Sequence, residues 1–302
     1  MYVERSLCMQ KIVPHLWFDT EAKEAAHFYV SLFEDSQIIN ETIIENTPSG
    51  DAQYLTFQLA KQEFQAISGG PYFSFNPSIS FMVACYSKQE VDTLYEALKE
   101  GGKDLMPLGE YPFCEWYVWV EDRYGLSWQL MLTPEGKAVQ KITPSLMFSH
   151  DVNGQAEEAL HFYTEIFAIA EQQEMAYFKE GEVPAKRAKL SYARYQLENM
   201  QFVAMDNGTD ADYHFNEALS FIVNCENQEE IDFYWAHLSY VEEAEQCGWL
   251  KDRYGVSWQI VPVSMEAVLY RGTREENQRV IEAMLKMKKL DIAELERVRK
   301  NG

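Results

Sequence analysis

One phrase occurs twice in this chain and constrains everything else. It reads Asp122-Arg-Tyr-Gly-Leu-Ser-Trp-Gln-Leu130 and returns as Asp252-Arg-Tyr-Gly-Val-Ser-Trp-Gln-Ile260, 130 residues later and differing only by Leu/Val and Leu/Ile. Asp-Arg-Tyr-Gly has turn chemistry, because Asp bonds its own backbone and Gly accepts a positive φ. The residues that follow alternate and are large, the pattern of a half-buried strand. Each copy therefore reads as a tight turn feeding a strand. Identity of this extent does not arise by chance, so the chain is read as a duplicated unit.

The duplication accounts for most of the 302 residues. Gln140-Lys-Ile-Thr-Pro-Ser-Leu-Met-Phe148 repeats Gln10-Lys-Ile-Val-Pro-His-Leu-Trp-Phe18, and His161-Phe-Tyr163 repeats His27-Phe-Tyr29. Phe75-Asn76 returns as Phe215-Asn216, and Ser80-Phe81 as Ser220-Phe221. The domain boundaries expected are 9–134, 139–264 and a helical tail at 265–302. Within a repeat the periodicity predicts two modules, each strand–helix–strand–strand–strand. The first helix carries the stripe Ala22, Ala25/Ala26, Tyr29, Leu32/Phe33 behind Asp19 and Thr20 as candidate caps. Asn46-Thr-Pro-Ser-Gly50 reads as a loop. The second module opens its helix with a capping box at Ser87 and Glu90. In the tail, Thr273-x-x-Glu276 and Asp291-x-x-Glu294 open two helices. The copies have diverged: His15 and Trp17 become Ser145 and Met147. The second copy gains four residues before its first helix and loses about ten before its last strands.

Charge narrows the functional classes. The formal net charge is −22, and the tail from Arg271 on departs from it, with nine Lys/Arg against six Asp/Glu. So acidic a surface repels phosphate backbones, which excludes nucleic acid as the expected partner. No apolar run approaches the roughly 18 residues of a membrane span, so no membrane partner is expected. Met1–Met9 is too short and too poor in apolar residues for a signal peptide. The five Cys are odd in number and form no C-x-x-C pair. They read as buried free thiols in a reducing cytoplasm.

The Pro-x-Leu-x-Phe strand, the Ala-rich helix ending His-Phe-Tyr, the Asn-x-x-x-Ser-Phe strand and the Asp-Arg-Tyr-Gly-x-Ser-Trp-Gln phrase resemble PhnB-like proteins. That group carries the name 3-demethylubiquinone 3-methyltransferase. It is a branch of the vicinal oxygen chelate superfamily, with glyoxalase I, extradiol dioxygenases and bleomycin-resistance proteins. The tail around Met284–Ile292 resembles the same group. The resemblance implies an α+β fold of tandem glyoxalase/bleomycin-resistance-like domains, each of two βαβββ modules curling their strands around a cavity, followed by C-terminal helices. It specifies fold better than function.

Metal-using relatives hold a divalent ion with side chains from the first and last strands. Matched onto this chain, those positions fall on Pro14 and Pro144, which offer no side-chain ligand, and on Gln129 and Gln259, where glyoxalases carry Glu. A hard divalent ion needs several converging carboxylates or imidazoles, so no metal and no cofactor are expected. Asp122-Arg123 reads as a turn salt bridge, and His27 and His161 as helix-surface or packing residues. No G-x-S-x-G and no G-x-G-x-x-G occurs, and the methyltransferase name finds no methyl-donor motif here. The expected function is metal-independent binding of a small molecule. The expected ligand-binding residues are His15, Trp17, Trp119, Gln129, Trp249 and Gln259, an aromatic set with a few amides. One alternative is a lyase or isomerase of glyoxalase kind using a divalent metal. The other is a structural or regulatory pseudo-dimer without ligand. The two domains are expected to pair with each other, with further oligomerisation open, and the first cavity to be the more aromatic.

Overall fold

The computed structural model describes residues 10–47, 50–136, 138–263 and 265–300. Met1–Met9 and the centre of the expected loop at Pro48 and Ser49 lie outside the described residues. The first repeat contains β1 (Ile12–Phe18), α1 (Ala22–Leu32), β2 (Gln37–Thr47), β3 (Gly50–Leu59) and β4 (Gln62–Ser68). It continues with β5 (Ile79–Cys85), α2 (Lys88–Leu98), β6 (Lys103–Tyr111), β7 (Cys114–Glu121) and β8 (Ser127–Leu132). The second repeat contains β9 (Ile142–Phe148), α3 (Ala156–Ile166), β10 (Ala170–Tyr177), β11 (Leu190–Leu197), β12 (Met200–Asp206), β13 (Leu219–Cys225), α4 (Gln228–Leu238), β14 (Trp249–Lys251) and β15 (Ser257–Pro262). The tail forms α5 (Met265–Tyr270), α6 (Arg274–Met284) and α7 (Ile292–Lys300). The α+β class and the tandem modules are thus as the sequence predicts. The fourth module departs from the plan, with a short 3-10 turn at Glu242–Ala244 where the second module has β6. No helix among the described residues is long and apolar enough to cross a membrane.

The helices form for the reason their stripes suggest: Ala22, Ala25, Ala26 and Tyr29 are buried on α1 and Val91, Leu94 and Leu98 on α2. Their starts differ. Ser87 Oγ accepts from Glu90 N (3.1 Å), and Glu90 Oε2 accepts from Tyr86 N (2.7 Å). At α1 neither Asp19 nor Thr20 caps. The helix begins at Ala22, whose N–H goes to Ser68 Oγ at the end of β4 (3.2 Å). The orphan donor of a helix end needs an acceptor, and here a neighbouring strand supplies it.

The chain divides into two compact units, Met1–Pro14 with Ser220–Gly302, and His15–Leu219. In the larger unit an eight-stranded sheet runs in the order β10-β11-β12-β9-β5-β8-β7-β6. It joins the second module of the first repeat to the first module of the second. β5 pairs antiparallel with β9, Ser80 opposite Ser145, and pairs parallel with β8, Ser80 opposite Ser127. β5 would otherwise present an open edge, and the strand that follows β8 in sequence fills it. The same unit holds β1-β4-β3-β2 in a second sheet. Two matching asparagines clasp the connections between modules. Asn76 Nδ2 donates to the His214 carbonyl (2.8 Å), and Asn216 Nδ2 to the Ser74 carbonyl (2.9 Å). Each asparagine also receives a backbone N–H two residues on, from Ser78 and Ala218.

In the smaller unit β14, β15 and β13 lie side by side. Asn224 N donates to the Lys11 carbonyl (2.9 Å), and Lys11 Nζ reaches Glu230 Oε2 (2.6 Å). The larger unit has the counterpart of both contacts: Ala84 N to the Lys141 carbonyl, and Lys141 with Glu90. The tail belongs to the smaller unit. Thr273 and Glu276 make the predicted capping box, and Asp291 Oδ1 accepts from Glu294 N (2.9 Å). α5 has no expected counterpart. Leu269, Val280, Ile281 and Leu295 form the tail's own core.

Candidate functional site

The repeated turn is a structural anchor, and its chemistry differs from the expected salt bridge. Gly125 takes φ +87°, which a side chain would strain. Asp122 is buried and accepts four hydrogen bonds. They come from Tyr124 N (2.9 Å), Leu126 N (3.1 Å), Trp128 Nε1 (2.9 Å) and Tyr29 Oη of α1 (2.8 Å). Burial raises its carboxyl to about 6, against the opposing pull of those donors. Arg123 does not answer Asp122. It lies over the Phe28 ring (4.2 Å) and 3.7 Å from Glu24. The second copy repeats the carboxylate geometry: Asp252 accepts from Tyr254 N, Val256 N and Trp258 Nε1.

The strand after the turn has two faces. Trp128, fully buried, packs on Tyr29 of α1, on Phe33 just after that helix and on Phe81. Alternation therefore turns Gln129 to the face away from the helices. There Tyr117 Oη donates to Gln129 Oε1 (2.7 Å), and Gln129 Nε2 donates to Ser80 Oγ (2.8 Å). Trp119 stands opposite Gln129 in register and is half-buried, and its Nε1 has no hydrogen-bond partner among the described residues. Burial pushes the Tyr117 phenol far above its usual range. In the smaller unit Gln259 Nε2 donates to Ser220 Oγ (3.0 Å), and half-buried Trp249 stands opposite Gln259.

His15 and Trp17 lie on β1, paired with Gln65 and Ile67 of β4. Trp17 Nε1 donates to the Gly70 carbonyl (2.8 Å), and its ring meets Phe73 edge-on. His15 is buried, its ring 6.2 Å from that of Tyr54. Burial lowers its pKa to about 3, so the imidazole is neutral. The structure does not bring His15 and Trp17 together with Gln129 and Trp119, because β1 and β8 stand in different sheets. The residues that share the sheet of Gln129 are Ser145 and Met147, the second copy's versions. The expectation of one aromatic first cavity rested on grouping strands by repeat, and the β5–β9 ladder regroups them.

Sequence reasoning missed Tyr192 and Arg194 of β11. Register through Val203, Ser145 and Ser80 puts Arg194 on the face of Gln129. It is half-buried and 3.6 Å from Glu174, and its Nε has no partner among the described residues. The signal was available in the alternation Tyr192-x-Arg194-x-Gln196. Burial raises the Tyr192 phenol. His27 and His161 are surface residues, as expected, contacting Glu41 (2.6 Å) and Gln172 (2.7 Å). Cys85, Cys114 and Cys225 are buried free thiols and Cys247 is half-buried, while Cys8 lies outside the described residues.

The divalent ion of the metal-using relatives does not fit this face. The first-strand residue on this face is Ser145, neither a carboxylate nor an imidazole, and both polar atoms of the Gln129 amide are already engaged by Tyr117 and Ser80. A surface cleft of about 420 Å³ opens instead beside His150, Asp151, Lys186, Arg187 and Asp210.

The family model described as 3-demethylubiquinone-9 3-methyltransferase matches residues 10–131 and again 140–261. A PhnB protein from Bacillus cereus is 41% identical over 41% of this chain and all of its own, with a TM-score of 0.39. Glyoxalase I from Zea mays covers 83% of this chain and 93% of its own at 10% identity, with a TM-score of 0.51. That likeness is one of fold. A search among curated proteins gives no match.

Proposed function

The chain belongs to the family described as 3-demethylubiquinone-9 3-methyltransferase, the PhnB-like branch of the vicinal oxygen chelate superfamily, and from that premise we propose that it binds a small, partly apolar molecule without a metal. The observation that carries this reading is the Gln129 amide. It sits where metal-using relatives place a carboxylate, and it spends its carbonyl on Tyr117 and its NH2 on Ser80. An amide so engaged orients its neighbours rather than an ion. Beside it Trp119 offers an indole N–H not used within the described residues, and Met82 and Met131 flank the amide with adaptable apolar surface. An aromatic wall with a few fixed polar atoms selects a flat ligand carrying one acceptor. The expected ligand set is thereby divided, with Trp119 and Gln129 on one sheet and His15 and Trp17 on another. Gln259 and Trp249 form the fourth module's version. We take the protein as cytoplasmic, in keeping with its unpaired thiols. The repeats act as an intramolecular pair, which the β5–β9 ladder favours.

The activity in the family's name needs a methyl donor, and the sequence has no G-x-G-x-x-G loop of the kind that would bind one. The test uses fluorinated phenols and indoles as probes, followed by ¹⁹F line broadening. Binding should survive chelator treatment and weaken by about tenfold in Trp119→Ala. Unchanged affinity in that variant, or loss of binding with chelator that is restored by a divalent ion only when Gln129 is present, would overturn the reading.

A further inference from the structure

The second repeat gains four residues between its first strand and its first helix relative to the first repeat, and the duplicated plan does not use them. His150 lies in this longer connection. Its Nε2 stands 3.5 Å from Asp212 Oδ1, and His214 Nε2 stands 2.8 Å from the same oxygen. Within the described residues this is the one group of three or more His, Cys, Asp or Glu whose ligand atoms lie within 4.8 Å of one another. In the first repeat Ser74 and Tyr72 stand where His214 and Asp212 are, so the group is particular to one copy.

We propose that His150, Asp212 and His214 form a site for a divalent transition ion of the zinc, nickel or copper class, distinct from the sheet face and independent of the function proposed for it. The ligand chemistry fits: two imidazoles and one carboxylate suit borderline ions and leave coordination positions open to water. The spacing fits as well. Tetrahedral ligands at about 2.0–2.1 Å from an ion stand about 3.3 Å from each other, and the two nitrogen–oxygen separations here bracket that value. An ion replaces the proton between His214 Nε2 and Asp212 Oδ1 with little movement of either side chain.

The support is of the kind metal-binding histidines have. His150 Nδ1 lies 3.2 Å from Asp151 Oδ2, so the ring nitrogen not aimed at the site faces a carboxylate that fixes its orientation. The backbone beneath each imidazole is held. The His214 carbonyl accepts from Asn76 Nδ2 (2.8 Å) and Ser78 Oγ (3.1 Å). The His150 carbonyl receives Asn153 N (3.3 Å), and His150 takes a left-handed φ of +47°. Such a φ in a residue with a side chain is kept only where surrounding contacts enforce it. His150 also lines the cleft of about 420 Å³ that Lys186 and Arg187 border, so water and small anions reach the open side of the ion.

The experiment titrates Zn²⁺ and Ni²⁺ into the metal-stripped full chain by calorimetry. One site per chain is expected. His150→Ala and His214→Ala should each weaken it by at least a hundredfold, and Asp151→Asn by about tenfold. All three side chains are exposed, and an unchanged Tm checks that the variants fold. In the wild-type chain, long-range ¹H–¹⁵N spectra should show the Nε2 signals of two histidine rings moving with Zn²⁺. Wild-type affinity in the His150→Ala/His214→Ala double variant would overturn the proposal, as would loss of the site in Cys247→Ser.

Discussion

The two copies of the terminal motif are almost the same in sequence and are supported in different ways. In the first, β7 is flanked by β6, and Tyr117 delivers its hydroxyl to Gln129. In the second the connection is about ten residues shorter, β14 has three residues, and Cys247 stands where Tyr117 is. The exposed backbone is served by the tail: Cys247 N donates to the Met287 carbonyl and Gly248 N to that of Lys288, both at 2.8 Å. Gly248 has φ +89°, and a Cβ there would lie 3.0 Å from the Ile260 carbonyl and 3.2 Å from Leu290. The turn depends on particular side chains because Asp122 and Asp252 must gather several donors. A sheet edge asks only for backbone partners, and any stretch of chain with free carbonyls supplies them.

This contrast can be broken at the tail. Leu290 is fully buried beside Gly248, and Leu290→Ala should cost about 3 kcal/mol. Hydrogen exchange should accelerate at the amides of Cys247 and Gly248 and leave those of Tyr117 and Trp119 protected. Equal loss of protection at both places would show that the copies are not supported separately.

A second contrast lies on the first strands, where the first copy has His15 and the second has Ser145 at the matching position. His15 has its pKa lowered to about 3 by burial, from an ordinary 6.5. The unfolded chain then takes the proton more readily than the folded one. Stability is therefore full above pH 6.5 and falls as the pH drops from 6.5 toward 3. Urea unfolding across that window should show the slope, and His15→Gln should flatten it whatever it does to stability at neutral pH. An unaltered slope would remove His15 as its source.

The smallest effect expected is at the amide. Tyr117→Phe deletes one buried hydrogen bond to Gln129 and should cost about 1 kcal/mol in chemical denaturation. A neutral result would place the amide's support in Ser80 alone, and bring the first copy closer to the second, where Gln259 bonds Ser220.

The fold was legible because duplication writes each strand and helix twice, and because caps such as Ser87 and Thr273 announce helix starts locally. The start of α1 was not, because its acceptor, Ser68, is contributed by β4. The Asp122 role was half legible: the turn follows from Asp and Gly, whereas the bond from Tyr29 joins residues 93 positions apart. The candidate site was misgrouped for the same reason. Alternation tells which face Gln129, Trp119 and His15 take along their own strands. It says nothing of which strand lies alongside, and β5 chose β9. The histidine cluster left only an indirect trace, four residues gained in one copy.

The contact between Lys11 and Glu230 spans 219 positions. Synthesis must therefore run about three quarters of the way through these 302 residues before Lys11 can meet Glu230, by which point β5, β8 and β9 have been made. Closing so long a loop late is slow compared with local pairing. The segment just before β1 is thus secured well after β1 itself has paired with β4, so the two ends of one strand are fixed at different stages of assembly.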